Sequence, residues 1–331
     1  MESMEEMSKF HQINFKNHPI MVTGGTGLIG SHLVEELLNY SDTIHVPYIE
    51  IKDRSYFSSK KLQKKVKLKK LNLVDKEKTI EYVKKNKIKF IFHLAAQTLV
   101  TTAFDDPYDT LHNNLISTLN LLEIVRIDPK IGLIIASSDK AYGKTKDIYT
   151  EDSPLNGDHP YDVSKSAKDL IAQAYIKTYN SPVVITRFGN VYGEGDLHLS
   201  RIVPGLCESI IKKKILKIRS DGKYIRDYVY VKDVVSGYIF LWQNFHKVVG
   251  QAYNFSSEDN ISVLDLVKIA EKKLKIKIKY KIYNSAKNEI PYQHLNYDKI
   301  KKMGWKPENN FTDSIPGIVK WYEENVFTKK L

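Results

Sequence analysis

The sequence predicts an α/β fold: a doubly wound parallel sheet of the Rossmann kind, with a smaller α/β lobe toward the C-terminus. Three observations predict it. Strand-like and helix-like segments alternate about six times before residue 190. A glycine turn, Gly24-Gly25-Thr26-Gly27-Leu28-Ile29-Gly30, stands between the first strand and the first helix. Tyr161 and Lys165 lie four apart on a later helix, a spacing that stacks side chains on one face.

Residues 1–18 lack periodicity and read as a loose tail, with Phe10 and Phe15 as contacts to a sheet edge. Residues 19–23 form the first strand, and Ser31 to Asn39 the first helix, with Leu33, Val34, Leu37 and Leu38 inward. Glycines at 24, 27 and 30 permit the tight turn, close approach of a pyrophosphate and close helix–sheet packing. The helix N-terminus offers free N–H groups to phosphate oxygens. Strands at 43–48 and 66–73 follow, then a charged helix at 76–87. The ribose of a bound dinucleotide needs an acid near the second strand end; Tyr48 occupies that end and Glu50 is the favoured acid, with Asp53 beyond it. NAD is the expected cofactor, and Arg54 keeps NADP as the second choice. Asn72 and Leu73 are placed to meet the adenine edge.

The run 89–94 reads as a buried strand ending in Ala95-Ala96-Gln97, where small residues let a cofactor lie across the strand end. His93, inside this apolar run, reads as structural. A helix spans 109–126, with Leu111, Leu115, Leu119, Leu122 and Val125 on one face and Asn114 within it. Residues 131–136 form a continuous apolar strand, as expected when both faces are covered. It ends in Ser137-Ser138-Asp139-Lys140. The helix of Tyr161 runs to Tyr179, and a sixth strand at 182–186 leads to Arg187-Phe188-Gly189-Asn190. The glycine turn, Ala95-Ala96, Ser138 to Lys140 and Asn190 all fall at strand carboxyl ends, where open α/β sheets bind ligands.

Residues 1–193 are expected to form the dinucleotide domain, with segments near 233–256 returning to it. Residues 194–331 are expected to form mostly the substrate lobe. Its elements are helices at 203–213, 233–245, 262–274 and 313–325, strands at 215–219, 224–228 and 252–255, and a lysine-alternating strand at 275–283.

The net charge is +12, and only six of the 51 basic residues are Arg. Lysine runs such as 60–70 carry no interleaved aromatics and no nucleic-acid motif, so a nucleic-acid partner is not expected. An anionic small substrate fits the charge. No apolar run reaches the roughly 18 residues of a membrane span. The acidic, Met-rich N-terminus carries no export signal, so a cytoplasmic location is expected. Cys207 stands alone, and no metal-ligand spacing occurs.

With these residues in place the chain resembles the extended short-chain dehydrogenase/reductase family from about residue 18 onward. The matching marks are Thr23 to Gly30, His93-Leu94-Ala95-Ala96, Tyr161 with Lys165, Gly189-Asn190-Val191-Tyr192-Gly193, and Arg226-Asp227-Tyr228 followed by Val231 and Asp233. Within the family it is most similar to the nucleotide-sugar 4,6-dehydratases, and among these to the CDP-glucose enzymes. Asp139-Lys140 stands where dTDP-glucose dehydratases carry Asp-Glu, and 4-epimerases usually lack the acid. Tyr48, Asn72 and Ser117 depart from the pattern, where many relatives carry an acid, Asp and Gly.

The resemblance implies a catalytic set of Ser138, Asp139, Lys140, Tyr161 and Lys165. It implies cofactor contacts from Gly24, Thr26, Gly27, Leu28, Ile29, Glu50, Asn72, Leu73, Leu94, Ala95, Ala96 and Asn114, besides Tyr161 and Lys165. Gln97, Asn190, Arg201 and Arg226, with Ser138, would hold a nucleotide-diphosphate sugar. A free tyrosine titrates at about 10 and a general base works best near 7, a gap of about 4 kcal/mol. Lys165 is expected to close it by favouring the phenolate. Asp139 is expected to be protonated and Lys140 to be neutral. Alternatively, Lys140 simply pairs with Asp139. The chemistry implied is loss of water from the sugar by transient oxidation at C4; the alternatives are 4-epimerisation, 5,6-dehydration, a GDP-, UDP- or dTDP-linked sugar as substrate, or a nucleotide-sensing scaffold. The resemblance also implies a homodimer or higher oligomer through the 110–126 and 164–179 helices, with Leu111, Leu115, Leu122, Leu170, Ile171 and Ala174 as contacts; alternatively, the same faces are covered within the monomer.

Overall fold

The computed structural model describes residues 18–145, 147–285 and 290–328. The N-terminal tail with Phe10 and Phe15 lies outside them. Among the described residues there are twelve strands: β1 (Ile20–Thr23), β2 (Ile44–Tyr48), β3 (Lys67–Lys70), β4 (Phe90–His93), β5 (Gly132–Ala136), β6 (Val183–Phe188), β7 (Asn190–Tyr192), β8 (Leu216–Ile218), β9 (Ile225–Tyr230), β10 (Ala252–Phe255), β11 (Asn260–Ser262) and β12 (Tyr280–Ile282).

Seven of them form one parallel sheet in the order β3-β2-β1-β4-β5-β6-β10. The order reverses between β1 and β4, which opens a crevice above their carboxyl ends. The central strands read as unbroken apolar runs because helices cover both faces. On one face Leu33, Val34 and Leu37 of the Leu28–Leu37 helix pack with Trp242 and Tyr238 of the Val231–Gln243 helix. On the other, Leu121 and Val125 of the Pro107–Ile127 helix pack with Ala172 of the Pro160–Tyr179 helix.

A second core holds the C-terminal lobe. Leu206 and Cys207 of the Ile202–Ile211 helix meet Leu266 and Ala270 of the Val263–Leu274 helix and Phe311, Ile315 and Tyr322 of the Phe311–Tyr322 helix. Beside it lie two small sheets, β11-β9-β7 and β12-β8.

Three expectations need correction. The strand over 275–283 shrinks to Tyr280–Ile282, exposed on both faces, because its lysines have no layer to cover. The third strand is Lys67–Lys70 rather than 66–73, with the chain turning at Asn72 to Asp75. The expected apolar face of the Pro107–Ile127 helix is buried only in part. Leu122 and Val125 are buried, together with Asn114, Ser117, Thr118 and Leu121, while Leu111, Leu115 and Leu119 are part-buried. Among the described residues no helix is long and apolar enough to cross a membrane.

Candidate active site

The glycine turn is held by the neighbouring strand end. A Cβ on Gly24, whose φ is +67°, would stand 2.8 Å from the Ala95 nitrogen, and one on Gly30 only 2.1 Å from the Gly24 carbonyl oxygen. These contacts force β1, β4 and the first helix together at the sheet's switch point. At Gly27 a Cβ would meet only the Gly24 carbonyl oxygen, at 3.3 Å, so that side of the turn is open. Gly27 caps the Leu28–Leu37 helix with no side-chain bond to its first N–H groups. A diphosphate can approach the backbone there and meet the positive end of the helix.

The turn opens into a cleft of about 1650 Å³. Pockets for one drug-sized molecule run to about 1,000 Å³, so this cleft has room for a dinucleotide and a second ligand side by side. All the sequence-derived candidates from Gly24 to Arg226 line it.

Their side chains are not equally available. Asn114 is fully buried and bonded to the Gln97 backbone on both sides, with Nδ2 also donating to Ser164 Oγ at 3.0 Å. Gln97 spends its amide on Leu99 and on Thr110 Oγ1. Both therefore shape the strand end and are not free to grip a ligand with those groups. Asn72 caps the turn by accepting from the Val74 N–H, and Leu73 is buried beside it. Glu50 is exposed at the rim, and its carbonyl accepts from Thr26 Oγ1 at 3.3 Å. Arg54 does not line the cleft and donates to the Val326 carbonyl at 2.9 Å. His93 is structural: both ring nitrogens bond threonines, Thr23 and Thr118, and burial holds the ring well below its ordinary pKa.

Beyond β5 a single 3-10 turn, Asp139–Tyr142, follows Ser138, whose Oγ accepts from the Lys140 N–H at 3.2 Å. Ser138 Oγ donates to Asp139 Oδ1 at 2.9 Å. Lys140 Nζ lies 3.2 Å from Oδ1 and 3.0 Å from Oδ2. Gln293 completes the group: its Nε2 donates to Asp139 Oδ2 at 3.0 Å and its Oε1 accepts from Lys140 Nζ at 2.8 Å. Every contact on Asp139 is a donor, the environment of an ionised carboxylate. The Lys140–Asp139 contact is the arrangement given above as the alternative, in which the two side chains pair.

Tyr161 is nearly buried at the start of its helix and lines the same cleft wall as Ser138. Burial pushes the phenol above its ordinary pKa; Asp139 and Asp162 add to this, and Arg201 and Ser138 oppose it. The expected lowering by Lys165 is therefore not what the protein groups alone produce. Lys165 Nζ stands 5.7 Å from the centre of the Tyr161 ring, and its own burial brings it down to about 8. Asp162, passed over in the sequence, is buried on the cleft wall, and burial lifts its carboxyl to about 6.

Toward the C-terminal lobe, Asn190 presents a buried Nδ2 with no hydrogen-bond partner, an atom that calls for a ligand oxygen. Arg201 pairs with Asp196 at 3.2 Å, and Arg226 lies over the Tyr224 ring. Asp169 and Arg187 form a fully buried bidentate pair at 2.8 and 2.9 Å that ties the Tyr161 helix to β6.

Comparison with known proteins agrees with this geometry. Residues 20–255 match the model of the NAD dependent epimerase/dehydratase family. The chain belongs to that family. The dTDP-glucose 4,6-dehydratase of Haemophilus influenzae is 28% identical, over 92% of this chain and 97% of its own. Among solved structures, a Streptomyces venezuelae dTDP-glucose 4,6-dehydratase with NAD bound gives a TM-score of 0.83 at 25% identity, covering 93% of this chain and 97% of its own. A UDP-glucose 4-epimerase of Thermotoga maritima gives 0.82 at 25% identity, covering 92% and 99%. The family member therefore has nucleotide-sugar 4,6-dehydratases among its homologues and the α/β fold they share.

Proposed function

We propose that this chain is an NAD-dependent nucleotide-diphosphate-glucose 4,6-dehydratase, with CDP-glucose as its substrate. The observation that carries the reading is the Asp139–Lys140 pair bonded to Ser138 on the wall that also holds Tyr161. A 4-epimerase needs the phenol and the lysine but has no use for an acid and a base at C5 and C6. The nucleobase assignment rests on Lys140, which stands where the dTDP-glucose enzymes carry Glu.

The glycine turn, the open side of Gly27 and the strand ends at Ala95 and Ala96 would hold NAD. When bound, NAD supplies the acceptor for the C4 hydride and the donor that later delivers it to C6. Tyr161 removes the C4 hydroxyl proton, and Ser138 orients that hydroxyl. The 4-ketone acidifies the C5 proton. Movement of one proton from Lys140 to Asp139 then turns the ion pair into an acid and a base together, with no exchange with solvent. In water that transfer costs about 9 kcal/mol. A closed, dry site penalises the separated charges and brings the two states closer. Asp139 protonates the departing C6 hydroxyl while Lys140 takes the C5 proton, which it later gives back. Asn190 meets the sugar or diphosphate with its free Nδ2, and Arg201 and Arg226 take the diphosphate.

The test is incubation with CDP-, dTDP-, UDP- and GDP-glucose followed by mass spectrometry. Loss of one water, fastest with CDP-glucose, is expected. Isomerisation without mass change would establish the epimerase, a reading favoured by the equal structural likeness to UDP-glucose 4-epimerase.

A further inference from the structure

Gln293 belongs to no motif in the sequence, yet it is 1% exposed and reaches the centre of the site from the far end of the chain. Its segment is fastened on every side. Tyr292 bridges to Ile225, Leu295 bridges to Tyr149, and the Gln293 N–H donates to the Ile225 carbonyl at 3.2 Å. Asn260 Nδ2 donates to the Gln293 carbonyl at 3.0 Å. Asp227 accepts from the Leu295 N–H at 2.6 Å and bonds His294 Nδ1 at 3.0 Å. So the Arg226-Asp227 strand, rooted in the C-terminal lobe, fixes where the Gln293 amide points.

The amide contacts both partners of the ion pair. It donates to Asp139 Oδ2 and accepts from Lys140 Nζ. An amide cannot exchange these roles without turning over, so Oδ2 is held as an acceptor. Oδ1 is then the oxygen left to carry a proton, and it is the one bonded to Ser138. Both contacts survive when a proton passes from Lys140 to Asp139 Oδ1: Lys140 as an amine still has an N–H for Oε1, and Oδ2 remains unprotonated.

We propose that Gln293 is a positioning residue which directs the Asp139 proton to Oδ1, completing a line from Tyr161 through Ser138 to Asp139. This rests on the dehydratase reading above. The proton account closes along that line. Tyr161 gains the C4 hydroxyl proton and Asp139 loses one to the departing water. Transfer from Tyr161 by way of Ser138 restores both, while the C5 proton leaves and returns on Lys140. The C-terminal lobe thereby sets the geometry of the elimination and leaves the oxidation at C4 to the Rossmann lobe.

The experiment uses full-length Gln293→Met and Gln293→Glu, the first apolar and close in size, the second able to accept from Lys140 but unable, when ionised, to donate to Asp139. Stopped-flow absorbance follows cofactor reduction by the nucleotide sugar, and mass spectrometry follows water loss. Reduction and KM are expected within about twofold of wild type. Water loss is expected to slow by about 10- to 100-fold, the effect of one hydrogen bond to a charged group, so reduced cofactor accumulates. Both steps falling together, or neither changing, would overturn the role. A crystal structure of Gln293→Met reads the same claim without substrate. The Asp139 carboxylate should turn so that Oδ1 no longer faces Ser138, and an unmoved carboxylate contradicts the proposal. A wild type that dehydrates none of the sugars would instead sink the functional reading, leaving the structural result to judge Gln293.

Discussion

Asp139 and Tyr161 occupy one wall of the cleft but face opposite demands, since one must give a proton and the other take one. Asp139→Asn keeps the shape and removes the titrating oxygen. It should slow water loss by about 10²- to 10⁴-fold while cofactor reduction persists, so that absorbance of reduced cofactor builds up on mixing with substrate. Tyr161→Phe should abolish both steps. Lys165 gives a pH prediction. Its buried ammonium titrates at about 8, against roughly 10.4 for a free lysine. In the proposed mechanism Lys165 supports the Tyr161 phenolate once NAD fills the site; that cation is present below about pH 8 and lost above it, so the rate of cofactor reduction should decline as pH rises through that value. Lys165→Met should be slow throughout and lack that limb. Tyr161 and Lys165 could be singled out in the sequence, but the direction of their pKa shifts could not. Burial decides the Tyr161 and Lys165 shifts, and burial depends on residues distant in the chain.

The elements most readable from sequence were those whose pattern and packing agree. The glycine turn is one: Gly30→Ala would drive a Cβ into the Gly24 carbonyl oxygen, and overpacking of this kind costs about 1–3 kcal/mol. Thermal unfolding should register that loss, and cofactor binding measured by calorimetry should weaken with it. The Pro160–Tyr179 helix gives a second test. Asp169→Asn leaves the buried Arg187 guanidinium short of its charge partner, a loss of about 3–5 kcal/mol that urea unfolding can measure. Less was legible where tertiary context overrides pattern. The leucines at 111, 115 and 119 stay part-buried, because polar residues turn inward instead: Thr118 bonds His93 at the end of β4, and Asn114 bonds the Gln97 backbone beyond it. β7 and β11, three residues each, are stabilised by pairing with β9 rather than by any local signal. Gln293 could not be found from spacing at all, since its partners lie 153 and 154 positions earlier.

For the whole molecule, the same helix faces bear on assembly. Leu122 and Ile171, offered as dimer contacts, pack in the monomer core, while Leu170 remains 51% exposed, Ala174 is exposed and Leu111 and Leu115 are half-exposed. If the expected homodimer forms there, Leu170→Glu should shift the mass seen by light scattering toward a monomer without unfolding the chain. Residues from both halves of the chain line the cleft, and the excess of lysine suits the anionic nucleotide sugar proposed as substrate. The central claim, that the enzyme oxidises C4 and expels the C6 hydroxyl with return of the same hydride, has a direct isotopic reading. CDP-glucose carrying deuterium at C4 should yield a product lighter by one water, with the label in a new C6 methyl group by NMR. A product of unchanged mass, or one whose label has left the sugar, would contradict it.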